Sequence, residues 1–163
     1  MPKLIETLHN DFEKDLYRQL GRFCAYRERA ESELWKKLNS LEIEEELSYK
    51  LIQLLKKDKF LDNKRFAIAY TQGKFLNNKW GRIKIRSGLV EKKISPDFIA
   101  FAFKKIDEEF YTETINNLID KKAKTLKGKE QLFVFRKKIV DFVRSKGYEV
   151  EIVWDLVKAK FPR

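Results

Sequence analysis

The feature that most constrains the fold is a hydrophobic pattern that occurs three times along the chain. Each copy has six apolar residues at the same internal spacing, and the copies lie 51 and then 54 residues apart. A pattern that repeats at a fixed period is typical of proteins built from stacked copies of one structural unit. The copies are Leu34, Leu38, Ile43, Leu47, Leu51 and Ile52; Ile85, Leu89, Ile94, Phe98, Ala102 and Phe103; and Ile139, Val143, Tyr148, Ile152, Leu156 and Val157.

Helical periodicity surrounds each copy and predicts three helices per unit. We expect helices over 11–27, 62–76, 80–91, 107–122, 131–146 and 149–160, with three more beginning near Ala30, Ile43 and Ser95. Asp62 and Ser95 are suited to cap helix starts, and Gly147 is suited to close a helix. The sequence therefore predicts an all-α fold of three tandem three-helix repeats, with limits 1–59, 60–106 and 107–163. Because repeats in such arrays contact mainly their neighbours, we expect an elongated, curved array.

The net charge of +11 is distributed unevenly. Residues 1–60 carry twelve basic and twelve acidic residues, whereas residues 61–163 carry 24 basic and 13 acidic ones. This asymmetry favours a polyanionic partner or an acidic protein surface. A lysine-rich proteome in which many proteins are basic is the alternative explanation.

Residues that would support catalysis are scarce. His9 is the only histidine, and the chain has no glycine-rich phosphate loop, so we expect no enzyme activity, no metal site and no cofactor. Cys24 is the only cysteine and is predicted to be a small buried side chain. No segment approaches the roughly 20 apolar residues that span a bilayer. We therefore expect a cytoplasmic protein with no membrane partner.

Four segments of the chain resemble a known family. Residues 26–34, Tyr-Arg-Glu-Arg-Ala-Glu-Ser-Glu-Leu, resemble the opening signature of the RecX family, and residues 60–67, Phe-Leu-Asp-Asn-Lys-Arg-Phe-Ala, resemble its second signature. Trp80-Gly81 and the residues that follow resemble the next helix, and residues 145–148 resemble a turn near the family's C-terminus. The resemblance covers about residues 15–160. The chain departs from the family pattern at Asn63, Lys93 and Tyr148.

The resemblance implies a regulator of the RecA recombinase. RecX-like proteins are understood to bind RecA–DNA filaments and to limit filament growth or recombinase activity. We therefore expect a monomer whose partners are RecA and its nucleoprotein filament, with single- or double-stranded DNA as a further partner. The alternative is a general nucleic-acid-binding helical module without a recombinase partner.

The candidate binding residues are basic side chains. At about 100° per residue, Lys79, Arg82, Arg86 and Lys93 are predicted to lie within about 60° on one helix face. The first copy has Glu28, Glu31, Trp35 and Glu42 at the equivalent positions. A solvated helix face is the alternative for this stripe. Arg27 and Arg29 belong to the opening signature, where nearby glutamates could pair with them. The full predicted set is Lys79, Arg82, Lys84, Arg86, Lys92, Lys93, Arg136, Lys137, Lys138, Arg144, Lys146, Arg27 and Arg29.

The lysines of one link and the aromatic residues each have more than one interpretation. The lysine-rich link, with Lys121, Lys122, Lys124, Lys127 and Lys129, could be a binding segment or a soluble connector. Most aromatic residues are predicted to lie in the core, whereas Trp80 could fill the core or stack on a base. The predicted core aromatics are Phe66, Phe98, Phe101, Phe103, Phe110 and Tyr148.

Overall fold

The computed structural model describes residues 8–126 and 131–163, and within these ranges the backbone forms nine α-helices and no strand. The prediction of an all-α fold in three-helix units is therefore confirmed. The helices are α1 (Asp11–Tyr26), α2 (Glu31–Ser40), α3 (Glu45–Lys57), α4 (Asn63–Asn78), α5 (Arg82–Glu91), α6 (Pro96–Phe103), α7 (Glu108–Thr125), α8 (Leu132–Ser145) and α9 (Val150–Lys160).

The first helix of each triplet begins at a capping side chain. Asn10, Asp62 and Asp107 each accept a hydrogen bond from the backbone N–H three residues later, at 2.8, 3.0 and 2.7 Å. Such caps satisfy donors that the helix itself leaves unpaired, and each contributes about 1 kcal/mol. Ser95 caps α6 as predicted, with Pro96 at its first position.

The repeat is visible in the burial pattern, with one shift. Ile85 and Ile139 are fully buried, as is Leu34 of the first copy. The fourth position of the pattern was placed one residue too early, because Ile152 is exposed and Val153 is buried in its place. Ser48 and Ile99 are the buried residues at the same place in the other copies. In the first copy the buried stripe runs 48, 51, 52 and 55, which is the i, i+3, i+4, i+7 spacing of one helix face.

The hydrophobic residues form two separate cores. One is formed by the first triplet together with Leu61, and the other is continuous through the second and third triplets and includes Ala30. The helix pairs in most extensive contact all lie within a triplet. The units are therefore arranged as an array, whereas its elongation, its curvature and the repeat limits stay predictions.

Polar contacts join the first triplet to the second. The Asn63 side chain accepts a hydrogen bond from the backbone N–H of Glu31 at 2.8 Å, at the start of α2. The Ser32 hydroxyl donates to the carbonyl oxygen of Lys92 at 2.7 Å, and Arg65 forms a 2.6 Å ion pair with Glu28. Asn63 is thus part of this junction.

The second and third triplets meet at two glycines whose backbones touch. The N–H groups of Gly81 and Ile83 donate to the carbonyl oxygens of Lys146 and Gly147, both at 2.9 Å. A Cβ atom on Gly81 would lie 2.3 Å from the Gly147 oxygen. Gly147 has a φ of +94°, in the region that favours glycine, so its predicted place after a helix is confirmed.

The aromatic residues predicted to lie in the core differ in how deeply they are buried. Phe66 and Tyr148 are buried, whereas Phe98, Phe101 and Phe103 are half-buried. The prediction that Phe110 lies in the core is wrong: it is exposed in the first turn of α7, where its ring forms a T-shaped pair with the buried Phe75. Trp80 is half-buried between α4 and α5.

Candidate polyanion-binding surface

The predicted basic stripe does not lie on a single helix. Lys79 ends α4 in the left-handed region, and Lys93 lies beyond the end of α5 in the same conformation. Only Arg82 and Arg86 of the four lie within α5, so the prediction that one helix face carries all four is wrong. The positive φ values explain the error, since a residue in the left-handed region interrupts the 100° progression of a helix.

Arg82 is engaged in the junction between the second and third triplets. Its guanidinium contacts the carboxylates of Glu108 and Glu149, the latter at 3.2 Å, and lies 4.0 Å from the centre of the Tyr111 ring. The Tyr111 hydroxyl accepts from the Arg82 backbone N–H at 3.0 Å and donates to Glu149 at 2.7 Å. Burial alone would lower the pKa of Arg82, but its bonds to the two carboxylates raise the pKa overall. Sequence reasoning missed Tyr111 and both glutamates.

The arginines of the opening signature are also paired within the fold. Arg27 forms a 2.7 Å ion pair with Glu33, and Arg29 lies 3.9 Å from the same carboxylate and over the Phe23 ring at 3.7 Å. Glu33 also accepts from the backbone N–H of Ala30 at 2.9 Å, which caps α2. Burial would raise the pKa of Glu33, but the bonds from Arg27 and Ala30 lower it overall. This cluster holds the start of α2 in place.

The predicted basic residues of the third triplet lie in different surroundings. Arg136 donates to the carbonyl oxygen of Phe161 at 3.0 Å, and Lys137 pairs with Asp141 at 2.7 Å. Lys146 lies 5.9 Å from the Phe142 ring centre. Arg144 and Lys138 are exposed on α8. Of the lysine-rich link, Lys121, Lys122 and Lys124 lie in α7, whereas Lys127 and Lys129 lie outside the described residues.

The second triplet carries most of the excess positive charge. Residues 60–106 contain eleven basic residues and three acidic ones, a net charge of +8. Arg65, Arg82 and Lys92 pair with carboxylates of the neighbouring triplets. Eight others have no carboxylate within 4 Å among the described residues, and we call them the unpaired basic set. They are Lys64, Lys74, Lys79, Lys84, Arg86, Lys93, Lys104 and Lys105.

Five members of the unpaired basic set lie over aromatic rings instead. Lys74 and Lys84 lie 4.8 and 4.6 Å from the centre of Trp80, and Arg86 lies 5.0 Å from that of Phe103. Lys64 and Lys105 approach Phe101 at 3.8 and 5.0 Å. An exposed cation–π contact stabilises by only about 0.5–1 kcal/mol, so these cations stay available to anions. Sequence reasoning missed Lys64, Lys74, Lys104 and Lys105, which an inventory of charge by repeat would have found.

A polar groove of about 670 Å³ lies where the first and second triplets meet. Its lining includes Trp35, Lys36, Glu91 and Lys93. Carboxylates and ammonium groups are mixed in this lining, so the groove is not uniformly positive, unlike the surface of the unpaired basic set. Among the described residues no group of three or more His, Cys, Asp or Glu could hold a metal ion. In the same part of the chain no helix is long and apolar enough to cross a membrane.

Comparison with known proteins finds relatives of this chain in one family. Residues 62–102 match a family model described as RecX, second three-helix domain. A regulatory protein RecX from Clostridium botulinum (strain Alaska E43 / Type E3) is 34% identical over 131 residues, which are 80% of this chain and 61% of the relative. The chain is similar to RecX-family proteins over most of its own length. A more distant RecX from Oceanobacillus iheyensis is 26% identical over 91% of the chain and 52% of the relative.

Solved RecX structures share the fold. The crystal structure of RecX from Lactobacillus salivarius superposes with a TM-score of 0.82 at 21% identity, over 93% of this chain and 97% of that one. A second crystal structure, of a regulatory protein RecX, gives a TM-score of 0.80. This chain spans about 61% of the length of the clostridial RecX protein quoted above. The predicted family resemblance and helical-repeat fold are therefore both confirmed.

Proposed function

We propose that this RecX-like chain regulates the RecA recombinase by binding RecA or its nucleoprotein filament and limiting filament growth. The observation that carries the proposal is the unpaired basic set, which gives the second triplet an uncompensated positive surface. Its family relatives are named regulatory proteins, which supports a role in control rather than in catalysis.

Charge complementarity supports this function physically. A filament on DNA carries closely spaced phosphates, and an uncompensated basic face would be steered toward it and would associate quickly. The first triplet, with no net charge, would supply contacts to protein. In this proposal the chain acts in the cytoplasm as a monomer, without cofactor, metal or catalytic activity of its own.

The test measures RecA ATPase during filament assembly on single-stranded DNA. Substoichiometric amounts of the chain should slow the rise in ATPase, since one bound regulator at a growing end affects many later subunits. An unchanged ATPase at saturating concentration would contradict the proposal. Added to filaments that have already assembled, the chain should act more slowly than when it is present from the start.

The second candidate is a general nucleic-acid-binding module without a recombinase partner. The same basic surface favours it, because phosphate contacts need no particular protein. Tight binding to DNA combined with normal RecA assembly and ATPase would select this function over the first.

A further inference from the structure

We propose that Trp80, with Lys74 and Lys84, forms a stacking site for an unpaired base of single-stranded nucleic acid. This inference deepens the proposed function, on which it rests, by naming the DNA strand as what this part of the basic surface contacts. An acidic protein surface is the competing partner, and the experiments below distinguish the two.

The backbone around Trp80 is held firmly in place. The backbone N–H of Trp80 donates a hydrogen bond to the backbone carbonyl oxygen of Lys74 at 3.1 Å, which closes the end of α4. The residue before Trp80 is held by the Tyr148 hydroxyl, which donates to the Lys79 carbonyl oxygen at 2.9 Å. The residue after it is held by the backbone N–H of Gly81, which donates to the Lys146 carbonyl oxygen at 2.9 Å. The indole is therefore presented from a fixed backbone at the junction of two triplets, which is what a preorganised stacking platform requires.

The indole itself is available to a ligand. Trp80 is half-buried, and its ring N–H has no hydrogen-bond partner among the described residues. That nitrogen is not among the buried unsatisfied atoms, so it is open to solvent. An indole whose face packs on the core while its N–H reaches solvent can stack on a base and still donate a hydrogen bond.

The surroundings of Trp80 are cationic, which separates it from the other two tryptophans. The Trp35 ring N–H lies 3.4 Å from a Glu31 carboxylate oxygen. Trp154 stacks on Phe133 and has one ammonium over its ring, that of Lys158 at 5.8 Å, with Glu151 and Asp155 beside it. Only the Trp80 indole has two ammonium groups over it, at 4.8 and 4.6 Å, from lysines that have no carboxylate within 4 Å in the described part of the chain.

The chemistry of this arrangement fits single-stranded nucleic acid. Aromatic side chains that stack on bases are combined with cations that follow the phosphates in proteins that bind single strands. A base can displace a lysine ammonium from the ring, and the released ammonium can then contact the adjoining phosphate. An acidic protein segment could use the lysines but would gain nothing from the indole face.

The first experiment follows Trp80 fluorescence in the full chain with Trp35→Phe and Trp154→Phe, which leaves one tryptophan. Addition of oligo(dT) should quench its emission saturably, because a stacked base quenches indole. An abasic oligodeoxyribose phosphate of the same length supplies the charge without the bases and should bind more weakly with little quenching. Equal quenching by both, or none by oligo(dT), would overturn the proposal.

The second experiment compares side chains at position 80 by their affinity for oligo(dT) in solution. Trp80→Leu keeps an apolar side chain and should weaken binding about tenfold, whereas Trp80→Phe should restore part of the loss. Trp154→Leu is the matched control, since it removes a half-buried tryptophan from an apolar stack elsewhere, and should leave affinity unchanged. Circular dichroism confirms that each variant is folded. Equal affinities for Trp80→Leu and the parent would refute the stacking site.

The third experiment separates the lysines from the ring and the DNA from a protein partner. Lys74→Gln with Lys84→Gln should reduce the log–log salt slope of oligo(dT) binding by about 1.4, because each single-strand phosphate contact contributes about 0.7. Poly-glutamate binding as tightly as oligo(dT) would assign the surface to an acidic protein instead. All these measurements omit RecA. If oligo(dT) quenches Trp80 as expected but the chain does not affect RecA, only the proposed function is rejected and the stacking site stands.

Discussion

Thr71 is fully buried in α4, and its hydroxyl has no hydrogen-bond partner among the described residues. The position 51 residues earlier is the buried Leu20, so the first repeat has an apolar side chain at the equivalent place. A buried polar group without a partner costs about 1–3 kcal/mol. Thr71→Val keeps the shape and removes the hydroxyl, so we expect the free energy of unfolding to rise by about 1 kcal/mol.

Thr114→Val is the matched control for that measurement. Thr114 is also buried, in the first helix of the third triplet, but its hydroxyl donates to the carbonyl oxygen of Phe110 at 2.8 Å. Urea unfolding should show no gain for Thr114→Val. A loss of stability in Thr71→Val would mean that the hydroxyl has a partner in solution, such as a bound water.

Cys24 is predicted to be unreactive in the folded protein. Burial raises the pKa of its thiol to about 11, even though Arg29 lowers it in part. Because the thiolate is the reactive form, labelling by a disulfide reagent at neutral pH should be far slower in the native protein than in urea. The native rate should rise steadily as pH increases toward that pKa. Rapid labelling of the native protein at pH 7 would contradict the buried placement.

At the scale of elements, the glycine contact between the second and third triplets allows a strong test. Gly147→Ala forces a left-handed conformation on alanine, which costs about 1–2 kcal/mol, and places a Cβ 2.3 Å from the Lys84 Cβ. We expect an overall loss in the free energy of unfolding well above that backbone cost. Gly73→Ala is the control, since no atom lies within 4 Å of its Cβ in α4, and it should stabilise by about 0.5–1 kcal/mol. Urea denaturation of both variants measures the contrast.

The arginines of α5 should differ in their effects on stability. Arg82→Glu removes a guanidinium from between Glu108 and Glu149 and places a third carboxylate there, so we expect a loss of about 2 kcal/mol or more. Arg86→Glu changes an exposed side chain without a carboxylate partner in the described residues, and should shift stability by less than about 0.5 kcal/mol. Thermal melts followed by circular dichroism compare them. Equal melting temperatures would mean that the Arg82 network does not stabilise the junction.

The helices and their order could be predicted because local signals determine them. Period-3.6 burial and capping residues such as Asp62 and Ser95 act within a few residues of sequence. The shift from Ile152 to Val153 could not be predicted, since the face a helix buries depends on how it meets its neighbours. The structural role of Arg82 could not be predicted either, because its carboxylate partners Glu108 and Glu149 lie 26 and 67 residues away in sequence.

One part of the candidate site has a signal in the sequence. Phe23 and Arg29 are six residues apart and lie on either side of the end of α1. The Arg29 guanidinium lies 3.7 Å from the centre of the Phe23 ring. Lys74 and Trp80 lie 51 residues later with the same spacing and the two residue types exchanged. The repeat thus conserves a cation–aromatic pair within this chain, and a comparison of the copies by chemical type would have pointed to Lys74.

For the whole molecule, the decisive test of the basic surface uses residues that the fold does not need. Lys79 and Lys93 are exposed and have no carboxylate within 4 Å among the described residues. Lys79→Glu with Lys93→Glu should weaken binding to RecA filaments severalfold and raise the concentration needed to slow ATPase. Because surface charges are screened by salt over about 10 Å at 0.1 M, the effect should shrink as ionic strength rises.

The control for that double reversal changes the same charge in the first triplet. Arg22 and Lys57 are exposed residues of the first triplet. Arg22→Glu with Lys57→Glu changes the net charge by the same amount but leaves the second triplet unaltered. If the unpaired basic set is what meets the filament, only the Lys79/Lys93 pair should weaken binding, and both variants should melt like the parent. Equal weakening by the two pairs would mean that net charge, rather than this surface, determines binding. Filament affinity measured by fluorescence anisotropy at two salt concentrations decides between these outcomes.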